Sequence, residues 1–294
     1  MKFTKMHGIG NDYVYINCFE EEVSNPSELS IYVSDRHTGV GSDGLVLIKP
    51  SDVADFRMDM FNADGSQSQM CGNAIRCVGK YVHDRGLTDK TEISVETLAG
   101  IKYLSLAVVD GKVQTVKVNM GAPILVPSEI PTTLSGDIAV DCPVVIGGNE
   151  YRITCVSMGN PHCISYMDSV EDVKNLQIEK VGPTFENDSI FPERVNAEFV
   201  SVIDRKTLYM RVWERGCGET WACGTGCSAA AVISILHNFT HRKMKIIQLG
   251  GALNIEWSPK DGSLYMESDA EIVYSGEINE DALDRFERMV NNEA

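Results

Sequence analysis

Several stretches of the chain alternate apolar and polar residues in the way that half-buried β-strands require. They include FRMDMF (56–61), VQTVKVNM (113–120) and LYMRVW (208–213), and in each the alternation places one set of side chains on one face of a sheet. Near the end, KIIQLGGALNIEW (245–257) has Gly250-Gly251 between two apolar runs, which predicts a hairpin. These patterns indicate a chain dominated by strands.

Helical periodicity is confined to a few segments. Apolar residues recur at helical spacing after Cys71, and Gly86 is placed to end that helix. After Cys223, the run CSAAAVISIL (227–236) is apolar on nearly every face, which predicts a fully buried helix. The tail NEDALDRFERMV (279–290) predicts a short amphipathic surface helix capped by Asn279.

The two halves of the chain carry matching motifs in the same order. GIGNDYVYI resembles SMGNPHCIS, with Asn11 matching Asn160, and MFNADGSQSQMCGNAIRC resembles VWERGCGETWACGTGCSA. In the second pair the cysteine follows the polar residue that ends the strand, Asn62 or Glu214, by nine positions. The spacing indicates an internal duplication. Each half would be strands, a glycine-containing loop and a helix that begins at Cys-Gly.

This duplication predicts an α+β protein with two pseudo-symmetric lobes. Each lobe would be a curled, barrel-like mixed β-sheet around a central helix, with a cysteine at the N-terminal end of that helix. The prolines of GAPILVPSEIPTT (121–133) interrupt a strand-rich region and suggest the boundary between an N-terminal lobe, 1–120, and a C-terminal lobe that begins at 121.

Composition narrows the range of functions. The chain has 26 basic and 42 acidic residues, for a net charge of −16, so nucleic acid is not an expected partner. The start shows no signal-peptide pattern and no apolar run is long enough to span a bilayer, so we expect a cytoplasmic protein without a membrane partner. The nine cysteines are then expected to be reduced thiols.

A cysteine at a helix N-terminus has chemical consequences. The unpaired N–H groups there carry partial positive charge, bind carboxylates and lower the pKa of a nearby thiol. Gly72 and Gly224 would let a ligand approach the backbone closely. If the halves pack about a pseudo-twofold axis, both thiols flank one carbon, an arrangement that suits removal of a proton from one face and its return to the other. No pyridoxal-type lysine motif or nucleotide loop is evident, so no cofactor is expected.

The chain resembles the diaminopimelate epimerases, which belong to the cofactor-independent racemase superfamily that includes proline racemase. The segments that carry the resemblance are HGIGNDYV, FNADGSQSQMCGNAIRC, VSMGNPHC, ERVNAEFV and VWERGCGETWACGTG. They stand in the order typical of the family and cover nearly the whole chain. The resemblance implies epimerisation of LL-diaminopimelate to the meso form, a reaction of lysine and peptidoglycan synthesis.

The resemblance also implies roles for individual residues. Cys71 and Cys223 would be the acid–base pair, with Cys71 the proton donor and Cys223 the acceptor in one direction. His162 and Glu214 would sit beside the cysteines and tune them. The residues implied to hold the carboxylate at the reacting carbon are Gly72, Asn73, Gly224 and Thr225. Those implied to hold the ammonium groups and the distal carboxylate are Asn11, Asn62, Asn160, Asn196, Glu214 and Arg215.

Other implications of the resemblance concern the whole molecule. A C-terminal segment, 268–294, would return to the N-terminal lobe, which leaves 121–267 as the C-terminal lobe. A homodimer is implied, with a small amino acid as substrate and neither a metal nor a cofactor. Three positions depart from the family pattern: Gly44, where many members carry glutamine, and Cys217 and Trp221, which put the fit of the substrate's tail in question.

Alternative interpretations of these residues stay open at this point. The scaffold could racemise another amino acid, such as histidine. The two cysteines could form a regulatory disulfide in a redox sensor, or the chain could simply bind a ligand. The cysteines of CGTGC could be half of a metal site, although no second pair at ligand spacing follows. His162 could be a structural histidine, and Glu214-Arg215 a surface ion pair.

Overall fold

The computed structural model describes residues 1–279, 281–283 and 286. Contacts divide it into two compact units. The first comprises Met1–Val118 with the described residues from Ser268 onward, and the second is Asn119–Glu267. Of the predicted C-terminal segment 268–294 and its helix, positions 280, 284, 285 and 287–294 lie outside the described residues.

Strands predominate in both units. The first elements in chain order are β1 (Lys2–Gly8), β2 (Asn11–Asn17), α1 (Pro26–Ser34), β3 (Gly44–Lys49), β4 (Phe56–Asn62), β5 (Gln67–Ser68), α2 (Gly72–Asp84), β6 (Glu92–Thr97), β7 (Gly100–Val109) and β8 (Lys112–Gly121), which crosses the division. The remaining elements are a 3-10 turn (Pro127–Glu129), β9 (Cys142–Ile146), β10 (Asn149–Ser157), β11 (Pro161–Tyr166), α3 (Val170–Asn175), α4 (Ile178–Glu186), β12 (Asn196–Asp204), β13 (Thr207–Glu214), β14 (Gly218–Glu219), α5 (Gly224–Leu236), β15 (Lys243–Gln248), β16 (Gly251–Trp257), β17 (Leu264–Ser268) and β18 (Glu271–Glu277).

The two units share one strand topology. In the first, the order is β18-β1-β2-β3-β4-β6-β7-β8, and in the second it is β9-β10-β11-β12-β13-β15-β16-β17. The parallel pairs fall at equivalent places: β2–β3 and β4–β6 match β11–β12 and β13–β15. The short strands β5 and β14 each fold back onto the strand before them. The duplication inferred from the motifs is therefore present in the strand order.

Each unit has one 13-residue helix that begins directly after a cysteine, α2 after Cys71 and α5 after Cys223. Helix α5 contacts β10, β11, β12, β15 and β16. Because β10 and β16 are far apart in the strand order, the sheet must curl around the helix to bring both against it. Helix α2 contacts β1, β2 and β7 in the same manner.

Local sequence signals correspond to observed features. Gly86 follows α2 with a φ of +75° and its N–H donates to the His83 carbonyl, as a helix-ending glycine does. The predicted hairpin joins β15 and β16, which pair antiparallel, and its turn is Leu249-Gly250, because Gly251 already pairs with Gln248. At the start of the C-terminal tail, the Asn279 side chain accepts a hydrogen bond from the Ala282 N–H at 2.8 Å.

Each unit has a hydrophobic core, and the apolar residues of its strands and helices pack there. In the second unit, residues of β10, β11 and β12 pack with Phe185 of α4 and with Phe191. In the first, residues of β2 and β3 pack with Leu29 and Val33 of α1 and with Ile278 and Phe286 of the C-terminal tail. None of the helices in the described part of the chain has the length and hydropathy that a membrane span requires.

Candidate functional site

Cys71 is the residue at which the candidate site of the first unit is centred. It is the N-cap of α2, with extended backbone angles, and its side chain is half-buried. Its thiol donates to the Asn11 side-chain oxygen at 3.4 Å, and the Asn73 amide donates to the same oxygen at 3.4 Å. Three predicted site residues from two segments of the chain are therefore brought together at the start of α2.

Asn11 is itself held by an acidic residue that the sequence did not single out. Its amide nitrogen donates to Asp43 at 2.8 Å, and Arg36 bridges Asp43 and Asp12 at 3.0 and 3.2 Å. Burial and the nearby Asp12 carboxylate raise the pKa of Asp43. Because Asp43 accepts from the Asn11 amide nitrogen, the Asn11 carbonyl oxygen is left pointing toward Cys71.

A fully buried arginine supports the first turn of α2 from behind. Arg76 donates to the Gly72 carbonyl at 3.2 Å, to the Asn73 side chain at 3.1 Å and to the Asp269 carbonyl at 3.3 Å. A side chain on Gly8 would contact the Arg76 guanidinium and the Asn73 backbone at about 3 Å. This packing fixes Gly72 and Asn73, the residues predicted to hold a carboxylate.

Asn62 ends β4 and lies directly opposite Gly44 of β3. Its amide donates to the Ser66 hydroxyl at 2.9 Å. A Cβ atom on Gly44 would overlap the carbonyl oxygen of Phe61 and lie 2.8 Å from the Tyr13 ring. The departure at Gly44 therefore has a steric reason, because this backbone has no room for a glutamine side chain.

Cys223 is the counterpart of Cys71 in the second unit. It is the N-cap of α5, and its sulfur accepts from the Gly226 N–H at 3.3 Å and lies 3.5 Å from the Thr225 hydroxyl. Its own N–H donates to the Gln248 side chain at 2.8 Å. Cys223 is 4% exposed, more buried than Cys71.

Burial raises the pKa of the Cys223 thiol well above its ordinary value. The Glu214 and Glu198 carboxylates act in the same direction, and the contacts with Thr225 and the Gly226 N–H oppose them. A helix N-terminus is expected to lower the pKa of a thiol, but at Cys223 burial and the two carboxylates outweigh that effect. The thiol form is favoured at neutral pH.

His162 of β11 and Asn160, just before that strand, are linked to Cys223 through Thr225. The His162 ring is fully buried, with Nε2 at 3.0 Å from the Asn160 side-chain oxygen and Nδ1 at 2.6 Å from Glu198. The Asn160 amide nitrogen in turn lies 3.4 Å from the Thr225 hydroxyl. A continuous line of hydrogen-bonding groups therefore runs from Glu198 to the sulfur.

The remaining predicted residues of this unit surround the loop after β13. Asn196 is buried, donates to the Pro161 carbonyl at 2.8 Å and accepts from the Arg215 N–H at 3.0 Å. The Arg215 guanidinium donates to the Glu193 carbonyl at 3.0 Å. Glu214 accepts from the Thr220 hydroxyl. Glu214-Arg215 is thus half-buried and anchored at β12, which disfavours the surface ion pair.

The two residues of this loop that depart from the family pattern lie at the protein surface. Cys217 is exposed and Trp221 is 64% exposed. None of the nine cysteines, all of which lie in described positions, forms a disulfide. Within the described ranges, no group of three or more His, Cys, Asp or Glu side chains is placed to hold a metal ion.

Two buried carboxylates of this unit are not among the residues predicted from the sequence. Glu186 of α4 accepts from the Trp213 ring at 2.7 Å and from the Gly216 N–H at 2.8 Å, so it holds the loop that carries Arg215. Glu198 contacts His162. A signal for Glu198 was present: it stands two residues after Asn196 in an apolar strand, where a charged side chain on the inner face is unusual.

Comparison with solved structures defines the class of fold. The chain is similar to a probable proline racemase from Agrobacterium radiobacter, with a TM-score of 0.72 at 13% identity over 96% of this chain and 94% of that one. It is also similar to a hydroxyproline epimerase from Agrobacterium vitis (TM-score 0.68, 13% identity, 94% and 91% coverage). A phenazine biosynthesis protein of the PhzF family from Bacillus anthracis matches at 0.70 and 17% identity, over 95% and 99%. The predicted α+β class is confirmed.

Sequence comparison then identifies the family. The diaminopimelate epimerase family model matches residues 3–126 and 154–273. A diaminopimelate epimerase of Acetivibrio thermocellus is 59% identical over 279 residues, which is 95% of this chain and 99% of the relative. One from Methanococcus maripaludis is 54% identical, with 95% and 100% covered. This chain belongs to the diaminopimelate epimerase family, as the resemblance in its motifs predicted.

Proposed function

We propose that this chain interconverts LL- and meso-diaminopimelate in lysine and peptidoglycan biosynthesis, with Cys71 and Cys223 as the two acid–base groups at one α-carbon. The observation that carries the proposal, beside family membership, is that both cysteines are N-caps of equivalent helices in units of the same topology. If the two cysteines were only buried packing residues, nothing would require both of them to cap equivalent helices.

The mechanism follows from the properties of a helix start. An α-proton becomes acidic enough for a thiolate only if the charge that develops on the neighbouring carboxylate is stabilised. The backbone N–H groups of Gly72, Asn73, Gly224 and Thr225 supply that stabilisation, since the first turn of a helix lacks intrahelical acceptors for them. Thiolate at one cysteine takes the proton, and thiol at the other returns a proton to the opposite face.

The surroundings of Cys223 bear on the state in which it begins. Since the pKa of Cys223 is raised by burial, Cys223 begins as the thiol that donates a proton. For the reverse role it must lose that proton, and the positive charge of the substrate's ammonium group would favour the thiolate. Asn11 is proposed to orient the Cys71 sulfur, and His162 and Glu214 to tune Cys223.

Substrate recognition is proposed to use the polar groups around these helix starts. Asn62, Asn160 and Asn196 offer amide groups to the substrate's charged ends, and Arg215 would pair with the distal carboxylate. We further propose a homodimer that needs no cofactor, as the resemblance implies, located in the cytoplasm, as the absence of a signal-peptide pattern led us to expect. Sedimentation of the purified protein tests the dimer, which a monomer at micromolar concentration would contradict.

Exchange of the α-proton with solvent deuterium tests the function. Wild type should incorporate deuterium into both stereoisomers, whereas Cys71→Ala and Cys223→Ala should each lose interconversion by about 10²- to 10⁴-fold, the contribution of a positioned acid or base. Cys18→Ala, which removes a half-buried cysteine from another part of the first unit, is the matched control and should resemble wild type.

Two results would reject the proposal. An absence of exchange with diaminopimelate, together with exchange of another amino acid from a panel, would assign a racemase of different specificity. Full activity of Cys71→Ser combined with loss of a response to oxidants would assign a redox sensor instead.

A further inference from the structure

Glu198 is an unusual residue for the middle of a sheet. It is fully buried in β12, between the apolar residues Ala197 and Phe199. One carboxylate oxygen, Oε1, lies 2.6 Å from His162, while the other, Oε2, has no hydrogen-bond partner among the described residues. A buried carboxylate that is only half satisfied lowers stability. Its presence therefore calls for a reason other than folding.

The contacts of the His162 ring define where its hydrogens lie. Nε2 faces the Asn160 side-chain oxygen, which can only accept, so Nε2 must carry a hydrogen. A second hydrogen lies between Nδ1 and Glu198 Oε1. The His162–Glu198 pair as a whole is uncharged in this arrangement. Without a partner at Nδ1, a neutral ring would be free to carry its hydrogen on either nitrogen.

The position of the His162 ring hydrogen determines how Asn160 and Thr225 are oriented next to Cys223. Because Nε2–H holds the Asn160 oxygen, the Asn160 amide nitrogen faces the Thr225 hydroxyl at 3.4 Å. Thr225 in turn lies 3.5 Å from the Cys223 sulfur. If the ring hydrogen moved to Nδ1 alone, Asn160 would have to turn its nitrogen toward the ring and its oxygen toward Thr225. The Thr225 hydroxyl would then donate to Asn160, and its hydrogen would no longer be available to the Cys223 sulfur.

Glu198 also packs directly beneath the first turn of α5. A Cβ atom on Gly226 would lie 2.8 Å from Glu198 Oε1 and 3.2 Å from the Cys223 sulfur. The parallel pairing of β11 and β12 places His162 beside Asn196, two residues before Glu198 on the same face of the strand. The carboxylate therefore contacts both the histidine and the turn that carries the sulfur.

We propose that Glu198 is a positioning residue for proton transfer at Cys223, which it serves by keeping His162 in the Nε2–H form that orients Asn160 and Thr225. This inference rests on the proposed function. The ionisable groups that face the carboxyl group are His162 and Cys163 of β11, Glu214 of β13 and Cys223 before α5. Glu198 Oε1 is hydrogen-bonded to His162 at 2.6 Å, so His162 is the group through which Glu198 acts.

The experiment compares two variants with different hydrogen-bonding capacity. Glu198→Met keeps the volume and removes both oxygens, whereas Glu198→Gln can donate to Nδ1 and so preserve Nε2–H. We expect Glu198→Met to lower kcat by about 10- to 100-fold with little change in KM, by analogy with carboxylates that orient metal-binding histidines. Glu198→Gln should recover most of that loss. Ser201→Ala, another buried polar position of β12 on the opposite face, is the control for strand stability.

A spectroscopic measurement separates positioning from a structural role. The ring-nitrogen chemical shifts of labelled histidine, assigned with His162→Gln, should report Nε2–H in wild type and Glu198→Gln and a mixture of tautomers in Glu198→Met. Should Glu198→Met not fold, Gly226→Ala is used as the second variant for this measurement, because its added methyl group displaces the same carboxylate.

The outcomes are distinguishable. If Glu198→Met keeps the wild-type tautomer or kcat, or loses no more activity than Ser201→Ala, the inference is overturned. If wild type itself exchanges no proton of diaminopimelate, the proposed function fails. The tautomer comparison still decides whether Glu198 sets the state of His162.

Discussion

Gly226 is the position at which one added methyl group should disturb the chemistry most directly. Alanine there would place its Cβ 2.8 Å from Glu198 Oε1, 3.2 Å from the Cys223 sulfur and 3.3 Å from the Cys223 Cβ. The carboxylate cannot swing into solvent because it is fully buried and bonded to His162. Either the first turn of α5 must move or the Glu198–His162 hydrogen bond must lengthen.

The size of the effect follows from competing contributions. Overpacking a core costs about 1–3 kcal/mol, and loss of a hydrogen bond to a charged group costs about 1.5–3 kcal/mol. The two costs are alternatives, because a carboxylate that moves away relieves the overpacking. Alanine also has a higher helix propensity than glycine, which offsets up to about 1 kcal/mol of the cost. We therefore expect a net destabilisation of about 0.5–2 kcal/mol and a Tm that is roughly 1–8 °C lower.

The assay is thermal unfolding together with the exchange rate of the α-proton. Gly226→Ala should lose kcat by at least about tenfold, equivalent to ~1.4 kcal/mol in the barrier. Gly79→Ala in α2 is the control, because its added methyl would meet apolar side chains, Leu104 and Leu106 at 3.0 Å and Val116 at 3.3 Å. It should lower Tm without changing kcat. Wild-type Tm and kcat in Gly226→Ala would refute the reasoning.

Two further predictions concern buried ionisable groups. Burial raises the pKa of Cys77 from 9.0 to about 12; between these values the unfolded chain releases the proton that the folded chain retains, so stability falls as pH rises. Cys77→Val should flatten the fall of the denaturation midpoint between pH ~9 and ~12, and an unchanged slope would contradict the assignment. Glu186→Ala leaves the Trp213 ring and the Gly216 N–H without their acceptor, so KM should rise by about tenfold (~1.4 kcal/mol). A KM equal to that of wild type would show that the loop does not depend on Glu186.

Much of the fold was predictable because it is encoded in local patterns. Strand alternation, the glycine that ends α2 and the Gly250-Gly251 hairpin each depend on a few neighbouring residues. The duplication was visible because the two halves keep the same motifs in the same order. Cys71 and Cys223 could be singled out for that reason, and the structure places both at helix N-caps.

Other features of the site could not be predicted from neighbouring residues. Glu198 meets His162 only because β11 and β12 pair in parallel, although α3 and α4 lie between them in the chain. Glu186 reaches the loop at Gly216 from 30 positions away. Which strands pair, and in which register, depends on the packing of the whole sheet.

The sequence by itself determined the α+β class, the repeated unit, the family and the two helix-capping cysteines, because periodicity and motif spacing are properties of the chain. Only the tertiary structure decided that Gly44 has no room for a side chain, that His162 rests on a buried carboxylate and that burial raises the pKa of Cys223. The physical reason is that steric space, desolvation and strand register arise between segments distant in sequence. No local pattern contains them.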